Sequence, residues 1–192
     1  MYKTKLVIIA LSTSFMLPAA AANGFSSLFK DNGIEVGGWI NAGITYNANN
    51  PTDRFNGPVT FADRSKEFQL NQLNVFIQRA VATEGKEWNF GGRFDLMFGT
   101  DAIFAQAYGI PAFDVNTGQP LKRNSWDLNL CCSSSRFYNM ALPQSYMEAY
   151  VPVRNGVKLN IGHFYSPTGY ETVPAPDNFF YTRSYTFSNG EP

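Results

Sequence analysis

The chain has 192 residues and a formal net charge of zero, with 16% charged and 16% aromatic residues. Charged residues are scarcer than in typical globular domains, and no basic patch offers nucleic acid an electrostatic footing. No stretch after the N-terminus approaches the ~20 apolar residues of a transmembrane helix. One His and two adjacent Cys give no metal-site spacing, so no metal or cofactor is expected.

Residues 1–22 predict a secretory signal peptide. Lys3 and Lys5 form a positive n-region, Leu6–Leu17 is a short apolar run, and four alanines at 19–22 offer small residues for cleavage. The apolar run is too short to anchor the chain as a membrane-spanning helix. We therefore expect an exported protein whose mature part is 23–192.

A strict alternation of apolar with polar or small residues runs from Ile34 to Asn47. A period of two predicts a β-strand with unlike surroundings on its two faces. The run exceeds the roughly 9–11 residues with which a strand crosses a bilayer. After a secretion signal, this pattern favours an outer-membrane strand with its apolar side toward lipid and its polar side toward a wet lumen.

Further strand candidates lie at 68–82, 88–99, 144–153 and 157–165, with a weaker one at 179–188. Near the start of the first of these, Phe68 and Leu70 are out of phase with Leu73, which predicts either a β-bulge or a late start of the strand. The connections 83–87 and 154–156 are short, whereas 48–67 and 101–143 are long. Short periplasmic turns alternating with long extracellular loops are typical of outer-membrane barrels.

These observations predict an all-β fold, a transmembrane antiparallel up-and-down β-barrel wall. A soluble β-sandwich is the alternative, since its aromatic residues also alternate. Five to six strands are too few to close a barrel, because single-chain barrels begin at eight. The chain also ends on Pro192 rather than on an aromatic residue. We therefore expect 23–192 to be the N-terminal part of a longer barrel, or a truncated product.

Seven short segments have an order and spacing that carry a family resemblance. They are Leu70–Leu73, Trp88–Asp95, Phe98–Ala102, Gln144–Tyr150, Gly162–Tyr165, Gly169–Glu171 and Pro176–Phe187. Together they resemble the OmpL-like β-barrel porin family of Gram-negative outer membranes. The resemblance implies a barrel in the outer membrane through which small hydrophilic solutes diffuse passively.

The same resemblance implies a set of partners. These are outer-membrane lipid, small hydrophilic solutes and the barrel-assembly machinery, with a possible homo-oligomer of the full-length protein. The alternative function is a non-conducting structural or adhesin-type barrel whose long extracellular loops bind a partner. Fold alone does not choose the solute.

The strand alternation identifies candidate lumen-lining residues. They are Glu35, Asn41, Arg93, Asp95, Glu148 and Lys158. Rings of charged side chains control ion passage in channels. An alternative role for Arg93 and Asp95 is to pair with neighbours and hold strand register. The loop 101–143 is long enough to be an inward-folded constriction loop or an extracellular flap.

The remaining chemistry-bearing residues do not predict an enzyme. The only His is His163, and no nucleophile elbow or phosphate-binding glycine loop is present. Cys131 and Cys132 are adjacent in an exported and therefore oxidising setting. A vicinal ring disulfide is the first expectation for them, thiols linked to a partner the second, and a metal site the last.

Overall fold

The computed structural model describes residues 8–18, 29, 31–57, 60–106 and 137–189. Its strands are β1 (Ile8–Pro18), β2 (Ile34–Asn47), β3 (Phe68–Arg79), β4 (Asn89–Gly99), β5 (Asn139–Ala141), β6 (Ser145–Val151) and β7 (Val157–His163). Two short 3₁₀ helices span Thr100–Ile103 and Ala175–Asp177, and helix α1 spans Tyr185–Asn189. None of the helices in these ranges has the length and apolarity to cross a membrane.

All seven strands belong to one open antiparallel sheet, and apart from the short β5 each strand pairs with the next one along the chain. The order is β1-β2-β3-β4-β6-β7, and β5 lies beside the end of β4. The predicted all-β, antiparallel up-and-down arrangement is therefore confirmed. The predicted strand at 34–47 has the bounds of β2, and the other four predicted strong strands differ from β3, β4, β6 and β7 by a few residues at their ends.

Strands β5 and β6 are two pieces of one strand interrupted at Pro143. β5 pairs with the end of β4 and β6 with its beginning. Proline has no backbone N–H and cannot donate to the ladder. The adjacent Gln144 carbonyl accepts a 2.8 Å hydrogen bond from the Asp95 N–H, which keeps the two pieces aligned along β4. β5 lies in the segment predicted to be a continuous long connection, so that expectation was wrong at its C-terminal end.

The predicted bulge lies in β3 opposite β2. Asn41 pairs with Gln72 and Ala42 with Leu70, so Asn71 is the extra residue. The extra residue restores the phase of the apolar side, and Phe68 is 71% exposed on the same face as Leu73. Asn71 and Gln72 are both buried as a result. The bulge therefore supplies two adjacent amides to the polar face.

The sheet has an exposed apolar face and a buried polar face. On the apolar face, Val75 is 51% and Phe90 56% exposed, whereas on the polar face Gln72 and Asp95 are completely buried. Soluble proteins bury apolar side chains and expose polar ones. The predicted sides are confirmed: Ile40, Ile44, Phe90, Phe94 and Val151 lie on one face, and Asn41, Arg93, Asp95 and Glu148 on the other.

In the full chain, β2 has a strand neighbour on each side. β1 pairs with β2 over eleven residues, from Ile8 opposite Asn47 to Pro18 opposite Gly37. An uncharged stretch of this length fills an open edge because it satisfies that edge's backbone groups without introducing charge. The signal peptide stays a prediction, and its apolar run is the segment that forms β1.

The prediction of a weaker strand at 179–188 was wrong, because the described residues of this range form no strand. From Phe164 to Asn189 the chain crosses the polar face without pairing as a strand, and we call this stretch the inner segment. Side chains bond its own backbone: Asn178 Nδ2 donates to the Thr172 and Pro174 carbonyls, and Ser184 Oγ accepts from the Phe187 N–H. Such local bonds compete with a sheet ladder and favour turns and caps.

The pairing of β1 with β2 predicts how removal of residues 1–22 changes amide exchange. In an antiparallel strand, alternate residues bond to opposite neighbours. Alternate β2 amides should therefore lose protection from hydrogen exchange in a 23–192 chain in detergent micelles, while β4 amides keep theirs. Equal protection of all β2 amides in the two forms would contradict this pairing.

Candidate functional site

A charged chain of hydrogen bonds crosses the polar face from β2 to β4. Gln78 Nε2 donates to Glu35 Oε2 at 2.6 Å, and Gln78 Oε1 accepts from Arg93 Nη1 at 2.8 Å. Arg93 also holds Asp95 in a two-point contact, at 2.5 Å from Nε to Oδ1 and 3.0 Å from Nη2 to Oδ2. The guanidinium lies 4.2 Å from the ring centroid of Phe76. Three of the six predicted residues are thus joined in one network.

A second charged pair lies nearer the β6–β7 edge. Lys158 Nζ is 2.6 Å from Glu148 Oε1, and the Glu148 side chain is 7% exposed. The other predicted residue, Asn41, is buried on the same face opposite Gln72. The structure therefore places all six residues on the polar face, in two separate charged groups and one amide. That they line a permeation path stays a prediction.

The inner segment is fastened to this face by Gln72. Its Oε1 accepts from Trp39 Nε1 at 2.8 Å and from the Ala175 N–H at 2.9 Å. Its Nε2 donates to the Val173 carbonyl at 2.8 Å and to Asp101 Oδ2 at 2.9 Å. These four bonds use the full capacity of the carboxamide. Gln72 thus replaces a strand neighbour for Val173 and Ala175.

Asn71, the bulge residue, makes a second attachment. Its Oδ1 accepts from the Tyr181 hydroxyl at 2.6 Å, and its Nδ2 lies 3.3 Å from Asp101 Oδ1. Arg183 folds the segment on itself, donating from Nε to the Thr172 carbonyl at 3.0 Å and from Nη2 to the Val173 carbonyl at 3.2 Å. The inner segment therefore narrows the space above the polar face of β2 and β3.

Residues 33–192 match a family model described as "Putative beta-barrel porin-2, OmpL-like". The chain belongs to this family. The match confirms the resemblance, begins one residue before β2, and includes every strand from β2 to β7 together with the inner segment. Searches of curated proteins and of solved structures found no match. The family description names a porin, not an enzyme.

Sequence reasoning missed the residues that hold the inner segment of this porin-family chain. Gln72 and Asn71 carried a signal, because two adjacent polar residues interrupt the alternation at the predicted bulge. Asp101 follows β4 directly and was placed at the start of the long loop. Arg183 was placed in a predicted strand. Nothing in the sequence indicated that Gln72 would contact Val173, which lies about a hundred positions later in the chain.

Other predicted features lie partly or wholly outside the described residues. Residues 107–136 of the predicted constriction loop are outside them, and so are Cys131 and Cys132, whose predicted disulfide stays a prediction. Within the described ranges, no group of three or more His, Cys, Asp or Glu side chains has the geometry to hold a metal ion. The only His, His163, has its Nδ1 atom 3.1 Å from the Leu142 carbonyl, beside the interruption at Pro143.

Asp101 is a buried carboxyl that contacts Gln72 and Asn71, the two residues that hold the inner segment. Burial raises its pKa to about 6, against the opposing effects of hydrogen bonds from Gln72 and Asn71 and of the charge on Arg183; the charge on Asp63 adds to the increase. Burial also lowers the pKa of Arg183, while Asp101 and Glu171 act to raise it. The porin-family chain therefore holds a carboxyl that changes charge near neutral pH where the segment meets the wall.

The raised pKa predicts a pH-dependent stability. The folded chain binds the Asp101 proton more tightly than the unfolded chain, so the free energy of unfolding should fall as pH rises from about 4 to about 7. A difference of about two pKa units corresponds to about 3 kcal/mol. Asp101→Asn should remove most of this slope. Urea unfolding in detergent micelles, followed by tryptophan fluorescence at several pH values, measures it.

Asp31→Asn is the matched control, because Asp31 is exposed ahead of β2. It should leave the slope unchanged. A slope that survives in Asp101→Asn, or that disappears in Asp31→Asn, would contradict the assignment to Asp101.

Proposed function

We propose that the protein is an outer-membrane porin whose sheet forms part of a β-barrel wall, and that small hydrophilic solutes diffuse passively through this barrel. The observation that carries the proposal is the inverted polarity of the sheet. A contiguous face with Phe, Ile, Leu and Val exposed is unfavourable in water and favourable against lipid. Membership of a porin family agrees with this proposal.

Strands, rather than helices, are the elements suited to cross the bilayer in this chain. β2, β3 and β4 have 14, 12 and 11 residues, which meets the roughly 9–11 residues that a tilted membrane strand needs. In lipid every backbone polar group needs a partner within the protein, and the ladders between these strands provide one. Closed barrels need at least eight strands, so the proposed pore includes strands in addition to those described here for the mature part.

The polar face supports passage of hydrophilic solutes. Four of its charges form two opposite pairs, Arg93 with Asp95 and Lys158 with Glu148, and Glu35 bonds to the neutral Gln78, so the local field is mixed in sign. A pore with such a lining suits neutral and weakly charged solutes. The inner segment narrows the space above the wall and therefore suits the role of a constriction in the proposed pore.

Export and assembly complete the proposal. Residues 1–22 direct the chain across the inner membrane as a signal peptide, and the barrel-assembly machinery inserts it into the outer membrane. Outer-membrane lipid is then the partner of the apolar face. A non-conducting structural or adhesin-type barrel is the competing function. The loop 48–67 and Asp101 bond to side chains of the polar face, which favours a role in the lumen.

Single-channel recording in planar bilayers tests conduction and the role of the charged pairs. Arg93→Gln leaves Asp95 unpaired, so the reversal potential in a KCl gradient should shift toward cation preference. Asp95→Asn leaves Arg93 unpaired and should shift it toward anion preference. Arg79→Gln on the apolar face is the matched control and should cause no shift. Absence of conductance would overturn the porin function, and unchanged potentials would remove these residues from the path.

A charge on the apolar face tests the membrane assignment. Val75→Arg, in the middle of β3, should destabilise the lipid-inserted protein by about 2–4 kcal/mol, because Arg is costly near the bilayer midplane. Val153→Arg is the matched control: Val153 is similarly exposed, at 56%, but lies in the turn after β6. Urea unfolding from lipid vesicles measures both. Equal small effects would indicate that Val75 faces water.

A further inference from the structure

A cavity of about 530 Å³ opens at the end of the sheet where β2 ends and β3 begins. It lies between the loop 48–67, the start of β3 and the 3₁₀ helix after β4. Its volume is in the range of ~300–1,000 Å³ that small-molecule sites occupy. In an up-and-down barrel whose N-terminus begins in the periplasm, this end is the extracellular mouth.

The cavity wall is held in place by a buried polar network. Asn56 Nδ2 donates to Thr45 Oγ1 at 3.0 Å, and Asn47 Nδ2 donates to Asn56 Oδ1 at 3.1 Å. Ser65 Oγ accepts from the Asn47 N–H at 2.9 Å. An antiparallel bridge then joins Phe55 to Arg64 across the loop. The loop is therefore a preorganised wall, tied to the inner side of β2.

Gln69 is the residue that points to a ligand. It is 2% exposed and lines the cavity, and its Oε1 has no hydrogen-bond partner among the described residues. Its Nε2 makes a long contact of 3.5 Å with Asp63 Oδ1. Buried polar atoms are almost always hydrogen-bonded, and an unpaired one costs free energy. An acceptor of this kind is suited to receive a hydrogen bond from a ligand hydroxyl.

Three phenylalanine rings also line the cavity. Phe55, Phe104 and Phe137 line the cavity and are 46%, 39% and 39% exposed. Arg64 lies with its guanidinium carbon 4.4 Å from the ring centroid of Phe137, which fixes that ring beside the cavity. Exposed rings in a polar mouth offer flat apolar surfaces to the C–H faces of a solute.

The charges of the cavity limit what binds there. The lining includes two carboxylates, Asp53 and Asp63, and one cation, Arg64. Its net charge is therefore weakly negative, which disfavours the binding of anions. Carboxylate and amide oxygens accept hydrogen bonds from hydroxyl groups, and the rings cover apolar patches. A neutral molecule with both hydroxyls and C–H faces satisfies every part of this lining.

We propose that this cavity is a binding site for neutral saccharides at the mouth of the pore. The proposal rests on the proposed porin function only for the placement of the cavity at the mouth of a pore. Saccharide binding itself needs no closed pore. The saccharide hydroxyls bond to Gln69, Asp53 and Asp63, and its C–H faces contact Phe55 and Phe104. The site then concentrates sugars ahead of the narrowing formed by the inner segment.

Calorimetric titration of the detergent-solubilised protein with maltose tests the site. We expect saturable binding, with a dissociation constant raised about tenfold in Gln69→Met, because a lost hydrogen bond to a buried acceptor is worth about that factor. Phe55→Ala should weaken binding by a similar factor. Phe68→Ala is the matched control, because Phe68 lies one residue away from Gln69 on the apolar face, and it should bind as the unaltered protein does.

Three results would overturn the proposal. They are absence of saturable binding, equal binding by Gln69→Met and the unaltered protein, and equal or tighter binding of the acidic disaccharide lactobionate. Gel mobility before and after heating checks that each variant is folded, and Phe55→Leu replaces Phe55→Ala if that variant is not. Maltose binding without conductance in bilayers would overturn the porin function and leave this site standing.

Discussion

The structure depends on one constraint: a polar group buried on the covered side of the sheet costs free energy unless it has a hydrogen-bond partner. Amides and carboxylates on the polar face of β2, β3 and β4 are shielded by the loop 48–67 and by the inner segment. An unpaired buried polar group is expensive, whereas an apolar group on the other side costs nothing against lipid. The arrangement of both connections follows from this requirement.

Gln72 shows how the constraint operates. Its carboxamide bonds the wall through Trp39 and Asp101 and the inner segment through Val173 and Ala175. A single side chain therefore couples β2, β3, the turn after β4 and a segment about a hundred residues later. Arg93 has the same role among charges, because it satisfies Asp95 and Gln78 while covering Phe76. Both residues order the polar face around the small apolar cluster of Trp39, Met97 and Ala105.

The sequence was informative wherever structure is set locally. Period-two alternation predicted β2 at its observed bounds, and the phase break at Phe68 and Leu70 predicted the bulge. The course of the inner segment was not predictable, because it depends on long-range contacts such as that between Gln72 and Val173. Such contacts produce no periodic pattern in the sequence. The edge pairing of β1 was also missed, since that segment was assigned to export and excluded from the fold. For the candidate lumen-lining residues, the alternation predicted the face of the sheet on which each side chain lies. It did not predict which side chains form hydrogen bonds or ion pairs with one another.

The bulge at Asn71 also determines where β3 tolerates the deletion of one residue. Deleting one residue between Leu73 and Arg79 would exchange the two faces for part of β3, turning amides toward lipid and apolar side chains toward the interior. Deleting Asn71 would instead leave an uninterrupted alternation, with Leu70 and Leu73 still outside and Gln72 inside. The loss would then be confined to the bonds that Asn71 makes with Tyr181, Thr100 and Asp101. Length variation in this strand is therefore permitted at one position and excluded at the rest.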